Sequence, residues 1–312
     1  MQTLRFADPI TVNQYPLPIA GPAEWRRQAD GTWQASVSLP TLPAGHMIVP
    51  SLSVLERHDY RFAFSLVTEE RTYALRSFPS LEDDGAFQDP SDAVVRTAID
   101  CYHLQSAPGA CRLDVRYQGH GPPSRYLLSI SMRPTEMDVV AGPLPALRAP
   151  APPRRSQMLA NPRIAARICS PMSTAMVIGT HRPHVDYDAV VTACLDRVTG
   201  MYGLWPLAIR AASRHGLIGA VELVDGWPPV LACLARGLPV VASIRYAPDA
   251  LPGAPQRATG GHLVVVHGVE SETVLVNDPA APDHGSVVRR YPAAAFAEAW
   301  FRHRGAAYML VP

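Results

Sequence analysis

Gly260-Gly261-His262-Leu263-Val264-Val265-Val266-His267-Gly268-Val269-Glu270-Ser271-Glu272-Thr273-Val274-Leu275-Val276-Asn277-Asp278-Pro279-Ala280 holds two apolar, β-branched runs separated by a short polar break. Such runs read as strands over 262–269 and 273–277 joined in an antiparallel hairpin. If Glu270-Ser271-Glu272 is a loop centred on Ser271, His262 lies opposite Ala280, and Asp278 is its diagonal neighbour on the same face. A slip of one residue puts Asn277 there instead, because register shifts exchange the two faces. His267 points to the opposite face from His262 by parity, so the two cannot serve one site. Gly260 and Gly261 allow close backbone approach at a cleft.

Working outward, the segment before the hairpin reads as helices and the segment after it as mixed. Residues 170–178 form a short apolar helix with Pro171 in the first turn and Gly179 at its end. Residues 205–215 and 228–236 are further helices stopped by Gly216 and Gly237. A strand over 239–245 precedes the hairpin; a helix over 292–302 and a strand over 307–311 follow it. Helices first and sheet later make residues 156–312 an α+β domain. Upstream, residues 142–155 carry Pro143, Pro145, Pro150, Pro152 and Pro153 and read as a semi-rigid extended linker. Residues 1–141 are written in period two. Trp33, Ala35, Val37 and Leu39 alternate with polar residues, with Asp30-Gly31 turning the chain back toward 24–28. Tyr60, Phe62, Phe64 and Leu66 alternate in the same way, and 113–118 and 124–132 follow suit. This predicts an all-β, sandwich-like domain.

Composition sets outer limits. The chain has 312 residues, 47% apolar and 18% charged, with a formal net charge of +1, the balance of a folded protein with about two domains. Residues 1–150 carry −3 and residues 151–312 carry +4, too little for a phosphate backbone, so nucleic acid is not expected as a partner. No apolar run approaches the roughly 18 residues of a membrane span. All 28 basic residues are arginine, which excludes lysine bases, Schiff bases and P-loops. The five cysteines form no CxxC pair, which excludes a zinc ribbon or thioredoxin-like centre, while Cys101 and Cys111 are near enough in sequence for one disulfide. No apolar leader begins the sequence, so a cytoplasmic location is the default expectation, with secretion the alternative if a leader has been removed.

Three residue types stand where chemistry needs them. Cys169 precedes Ser170-Pro171 at the start of a helix, where unpaired amides and the helix dipole favour an anion and lower a thiol pKa. Cys194 and Cys233 lie in apolar helical patterns and are assigned to packing. His262 heads an apolar strand, and either Asp278 or Asn277, on the neighbouring strand, could hold its ring in one tautomer. A cysteine, then a histidine, then an aspartate or asparagine is the papain-like order.

The blocks around these residues resemble those of bacterial papain-like cysteine peptidases related to the bacteriocin-processing, double-glycine-leader family. Cys169-Ser170-Pro171-Met172-Ser173 resembles its Cys-Ser-Pro-Thr-Ser block, Gly261-His262 its histidine strand, and Asn277-Asp278-Pro279 its Asn-Asp-Pro block. Ser156-Gln157-Met158 is similar to the upstream segment whose glutamine helps form the oxyanion hole. Gly203-Leu204-Trp205-Pro206 and Glu298-Ala299-Trp300 are similar to later family segments. The resemblance implies a C-terminal papain-like cysteine peptidase domain over 156–312, with Cys169 as nucleophile, His262 as its acid–base partner, Asp278 as orienter and Gln157 at the oxyanion. It implies a peptide or protein substrate and no cofactor. Ile168, Met172 and Leu204 depart from the family's tryptophan, threonine and asparagine. Gln157 lies twelve residues before Cys169, so residues 161–167 must fold back to bring it near. No transporter helices or ATP-binding motif follow, so a stand-alone form is expected.

Other outcomes remain open at this level. The same three residues suit a transglutaminase-like acyltransferase, and a degenerate peptidase fold could serve as a binding protein, with a glycan or protein ligand on the N-terminal domain. His181, His184, Asp186 and Asp188 cluster in sequence, but Pro183 and the lack of a known ligand spacing favour a polar loop over a metal site.

Overall fold

The computed structural model describes residues 2–56, 58–80, 90–140 and 142–312. Ala141, where the all-β domain was expected to end, and residues 81–89 within that domain lie outside the described residues. The chain divides into two compact units, Met1–Thr135 with Asp196–Val221, and Glu136–Leu195 with Glu222–Pro312.

The first unit is β-rich. Its strands are β1 (Gln2–Ala7), β2 (Arg26–Arg27), β3 (Trp33–Ser38), β4 (His46–Val54), β5 (Arg61–Thr68), β6 (Thr72–Ala74), β7 (Val95–Ala98), β8 (Cys101–Leu104), β9 (Cys111–Gln118) and β10 (Tyr126–Pro134), with a short helix α1 (Pro9–Gln14). They form two five-stranded antiparallel sheets, ordered β1-β10-β4-β8-β7 and β2-β3-β9-β5-β6. The period-two residues fill one shared core. Phe62, Phe64 and Leu66 of β5 join Leu113, Val115 and Tyr117 of β9 and Ile48, Leu52, Leu128 and Ile130 from the other sheet. Burying each such side chain contributes roughly 1.5–3 kcal/mol.

The second unit begins with β11 (Leu144–Arg148), then two single turns of 3₁₀ helix at Gln157–Leu159 and Ala165–Arg167, α2 (Cys169–His181) and α3 (Tyr187–Ala193). The next stretch of chain belongs to the first unit and carries α4 (Trp205–Arg214). There Ser53 of β4 shares a hydrogen bond with Ser213 (2.8 Å) and accepts from the Gly219 amide. This cover buries the second face of β4, which is why β4 shows no alternation in sequence. After β12 (Ile218–Leu223) come α5 (Pro228–Ala235), β13 (Val240–Tyr246), β14 (Thr259–Ser271), β15 (Thr273–Asn277), β16 (Val288–Pro292), α6 (Ala293–Phe301) and β17 (Ala306–Val311). Within the second unit the antiparallel order is β17-β13-β14-β15-β16. Strand β14 pairs with β13 as far as Val266 and with β11 from Gly268 onward. The proline-rich segment 142–155 is thus not linker throughout. Its extended backbone, which prolines favour, supplies an edge strand with an irregular register between Leu144 and Leu147.

Two helix ends follow the glycine rule. Gly216 and Gly237 adopt φ of +76° and +73°, and the amides after them close back on Ala212 and Cys233. Gly179 does not. Helix α2 runs through it to His181, and a Cβ there would lie 2.8 Å from Tyr187 Oη and 3.1 Å from Pro153 Cγ. Close packing, and not helix termination, accounts for this glycine. All five cysteines remain thiols.

Candidate active site

Helix α2 opens with Cys169, and its N-cap, Ile168, offers no side-chain oxygen to the first-turn amides. Pro171 has no N–H and the Met172 N–H is given to the Ile168 carbonyl, so the amides of Cys169 and Ser170 are left for an anion. Two buried hydroxyls fix the helix to the sheet. Ser173 Oγ donates to the Leu263 carbonyl (2.9 Å), and Ser170 Oγ and Tyr308 Oη lie 2.9 Å apart. The Cys169 sulfur, partly exposed at the helix start, therefore meets the His262 ring on β14 and the Leu263 amide.

His262 Nε2 lies 2.7 Å from Asp278 Oδ1, which leaves Nδ1 for the sulfur. The carboxylate is itself held on both oxygens. The Ala280 amide donates to Oδ1 at 2.9 Å, and the Tyr291 hydroxyl of β16 donates to Oδ2 at 2.7 Å. His262 and Asp278 are both buried. Burial alone would push the Cys169 thiol up, but the hydrogen bond and positive charge of His262, then the amides of Leu263 and Ser170, bring it below its ordinary value. Burial likewise opposes a charged His262, yet the charge and hydrogen bond of Asp278, followed by Cys169, push the imidazole up to about 10. Against burial, Asp278 is held below the usual carboxylate range by His262, then Tyr291 and Ala280. These opposite shifts favour negative charge on the sulfur and positive charge on the ring, with the carboxylate behind it.

The hairpin register explains why the carboxylate and not its neighbour reaches the ring. Glu270 pairs with Thr273, one residue away from a loop centred on Ser271, but an irregularity between Val266 and Gly268 shifts the pairing so that Val265 faces Asn277. Extrapolated along the strands, this sets His262 opposite Ala280, as expected, with Asp278 diagonal to it. Asn277 turns to the other face and donates to the Pro152 carbonyl at 3.0 Å. His267 sits at the irregularity, buried, with its pKa pushed down to about 4 by burial and then by the charge of Arg148.

Gln157 is buried in the 3₁₀ turn capped by Ser156. Its Nε2 donates to the Ala165 carbonyl at 2.8 Å, so residues 161–167 do fold back over it. Cys194 and Cys233 are buried, and burial pushes Cys194 up to about 12. Asp186 caps α3 by accepting from the amides of Asp188 and Ala189, while His181 lies in the last turn of α2. Among the described residues no group of three or more His, Cys, Asp or Glu side chains is arranged to hold a metal ion. Tyr291 and the Leu263 amide were not singled out from sequence. The pattern Val288-Arg289-Arg290-Tyr291 places two arginines where a strand signal would need apolar residues.

A family profile described as Peptidase_C39 like family matches residues 152–308. The chain belongs to this family. The C39-like match spans every residue of the Cys169–His262–Asp278 cluster and the Gln157 turn. No curated protein matches the chain. Among solved structures, a double glycine motif protease from an AMS/PCAT transporter, in complex with a leader peptide, is 20% identical; the match covers 55% of this chain and 99% of that one, with a TM-score of 0.37. A protein described as a C39-like peptidase from Bacillus anthracis is 16% identical over 54% of this chain and 98% of its own, with a TM-score of 0.41. Among the described residues, no helix of this C39-like chain is long and apolar enough to cross a membrane.

Proposed function

We propose that this C39-like chain is a cysteine peptidase of papain-like fold that cleaves peptide bonds through Cys169, His262 and Asp278. Residues 156–312 form the peptidase module, with Asp196–Val221 packing in the first unit. Residues 1–141 form a sandwich-like accessory domain. The observation that carries the proposal is the hydrogen-bonded series Cys169–His262–Asp278, with the thiol shifted down and the imidazole shifted up.

The chemistry follows from that pair. The Cys169 thiolate attacks the scissile carbonyl carbon, and the carbonyl π electrons move to oxygen. The oxyanion is met by the Cys169 backbone N–H at the helix start and by the second amide hydrogen of Gln157, the first being given to Ala165. Collapse of this intermediate breaks the C–N bond while the His262 imidazolium gives its proton to the leaving amine. A thioester and a neutral imidazole remain. His262 then takes a proton from water, the hydroxide equivalent attacks the thioester carbon, and collapse breaks the C–S bond, leaving thiolate, imidazolium and a carboxylic acid that gives its proton to solvent. Asp278 keeps the ring in place and stabilises its positive charge throughout.

Incubating the wild type and Cys169→Ala with a peptide library tests this. The expected result is cleavage by the wild type only, with iodoacetamide modifying Cys169 ahead of the four buried thiols. Cleavage that survives the substitution overturns the proposal. Product masses in the presence of an added amine separate hydrolysis from acyl transfer.

A further inference from the structure

The geometry points to Tyr291 as a positioning residue for this same site: its hydroxyl holds the second oxygen of Asp278 so that the first stays on His262. The inference rests on the proposed peptidase chemistry, since Tyr291 acts only through Asp278.

Asp278 directly follows the last residue of β15, where the chain leaves the sheet, so the rotation of its side chain is set by the hydrogen bonds that its two oxygens accept. Oδ1 receives both His262 and the Ala280 amide. Among the described residues, Oδ2 receives one side chain, the Tyr291 hydroxyl, at 2.7 Å. A two-point hold of this kind sets both the position and the tilt of a carboxylate. Losing one point frees the group to rotate and leaves a buried anionic oxygen without a donor, a large cost in a low-dielectric site.

Tyr291 is itself rigid. It is fully buried on β16, and its ring stacks on Phe296 of α6 at 5.8 Å and 14°. Phe296 in turn packs against Trp227 and Trp300. An aromatic wall thus carries the hydroxyl to a fixed point. Burial and the Asp278 charge both raise the Tyr291 pKa, so the phenol keeps its proton and remains a donor.

The charged and titratable groups facing this centre can be named from each packed element. Cys169 comes from α2, His262 from β14, Tyr246 from β13, and Tyr291 and Arg289 from β16. Tyr246 gives its hydroxyl to the Gln256 carbonyl, and not to Asp278. Its pKa is raised to about 12 by burial and then by Asp278. Helix α6 contributes the uncharged Phe296 ring. The donor that a Tyr291→Phe change removes from the carboxylate is therefore not replaced by any of these.

The test compares the wild type, Tyr291→Phe, Phe296→Leu and Cys169→Ala as full chains. In Tyr291→Phe, kcat should fall about tenfold with KM unchanged, the kinetic equivalent of one hydrogen bond to a charged group. The acid limb of the rate of thiol alkylation should also move to higher pH, because a loosened Asp278 supports the imidazolium less and Cys169 ionises later. Phe296→Leu loosens the wall but keeps the hydroxyl, so it should lower Tm while moving the alkylation limb less than Tyr291→Phe does. An unmoved limb in Tyr291→Phe, or equal limb shifts in both variants, overturns the positioning role. Turnover retained in Cys169→Ala defeats the peptidase proposal instead, and the two failures are told apart by which variant gives them.

Discussion

The main-chain N–H of Gln157 donates to the carbonyl of Pro279 at 2.8 Å. The residue assigned to the oxyanion is thereby tied to the residue that follows Asp278, although 122 positions separate them in the chain. Flanking bonds reinforce the link. The Ser156 amide donates to His284 Nδ1 at 2.9 Å, and Ser156 Oγ donates to the Ala281 carbonyl. The turn carrying Gln157 and the loop carrying Asp278 therefore form one hydrogen-bonded body.

Because the catalytic part proposed for the Gln157 amide is at the oxyanion, its removal should separate two reactions of the same thiol. Gln157→Ala should lower kcat by about 10²–10³, the typical loss of one oxyanion donor. Alkylation of Cys169 by iodoacetamide forms no oxyanion and should change by no more than about threefold on the same grounds. Parallel losses in both reactions would assign Gln157 to the packing of the Ala165 loop.

The site was more legible in sequence than the sheets around it, for identifiable reasons. Cys169 opens α2 and Asp278 directly follows β15, where helix-start and turn signals are local, while His262, the fourth residue of β14, stands where the apolar run of that strand begins. The hairpin register came from counting back from Ser271; the true turn is displaced by one residue, and the irregularity near His267 restores the alignment. Strand β4 was not visible because Ser51 and Ser53 interrupt its apolar pattern; they hydrogen-bond to Val221 and Gly219 in a distant stretch of chain. Strand β11 was hidden by its prolines, since extended linker and edge strand share one backbone conformation. Gly179 misled for a related reason: a glycine required by a neighbour's side chain looks the same as one that ends a helix.

Protonation linkage gives a second test. His262 has a raised folded pKa, so between its unfolded value near 6.5 and about 10 the folded chain holds a proton that the unfolded chain lacks. Alone, this stabilises fully below about pH 6.5 and is lost as pH rises through the folded pKa. Cys169 has a lowered folded pKa, so below its unfolded value there is a range in which the unfolded chain holds a proton that the folded thiolate lacks. The two oppose each other while both apply. Where both apply, the wild-type unfolding free energy should therefore fall less steeply with pH than that of Cys169→Ala, which should lose up to about 1.4 kcal/mol per pH unit. Urea titrations at four pH values would measure both slopes, and equal slopes would mean that the folded thiol is not ionised.

Gly179→Ala should reverse an ordinary expectation. Glycine in a helix interior normally costs about 0.5–1 kcal/mol relative to alanine. Here the added methyl would meet Tyr187 Oη at 2.8 Å and Pro153 Cγ at 3.1 Å. Relieving both requires moving α3 and the segment at Pro153, so a net destabilisation of about 1–3 kcal/mol is expected. An unchanged or raised Tm would mean that Tyr187 swings aside without loss.

Asn277 and Asp278 are neighbours in the chain with opposite assignments, and substituting each separates fold from chemistry. Asn277→Asp places an acceptor against the Pro152 carbonyl in a fully buried position, so the variant should lose about 3 kcal/mol of stability while the pH profile of whatever remains folded is unchanged. Asp278→Asn keeps the shape, and the Tyr291 hydroxyl can accept from the new amide, but the buried pair with His262 is lost, so Tm should fall as well. Its effect falls on His262. The imidazole loses the charge that raises it, its pKa falls, and the alkaline limb of kcat/KM should move down by about 1–3 pH units. Activity near neutrality should drop on the order of 10²-fold, the scale of impaired general acid–base catalysis. If Asn277→Asp moves the pH limb and Asp278→Asn does not, the orienting group has been assigned to the wrong face of β15.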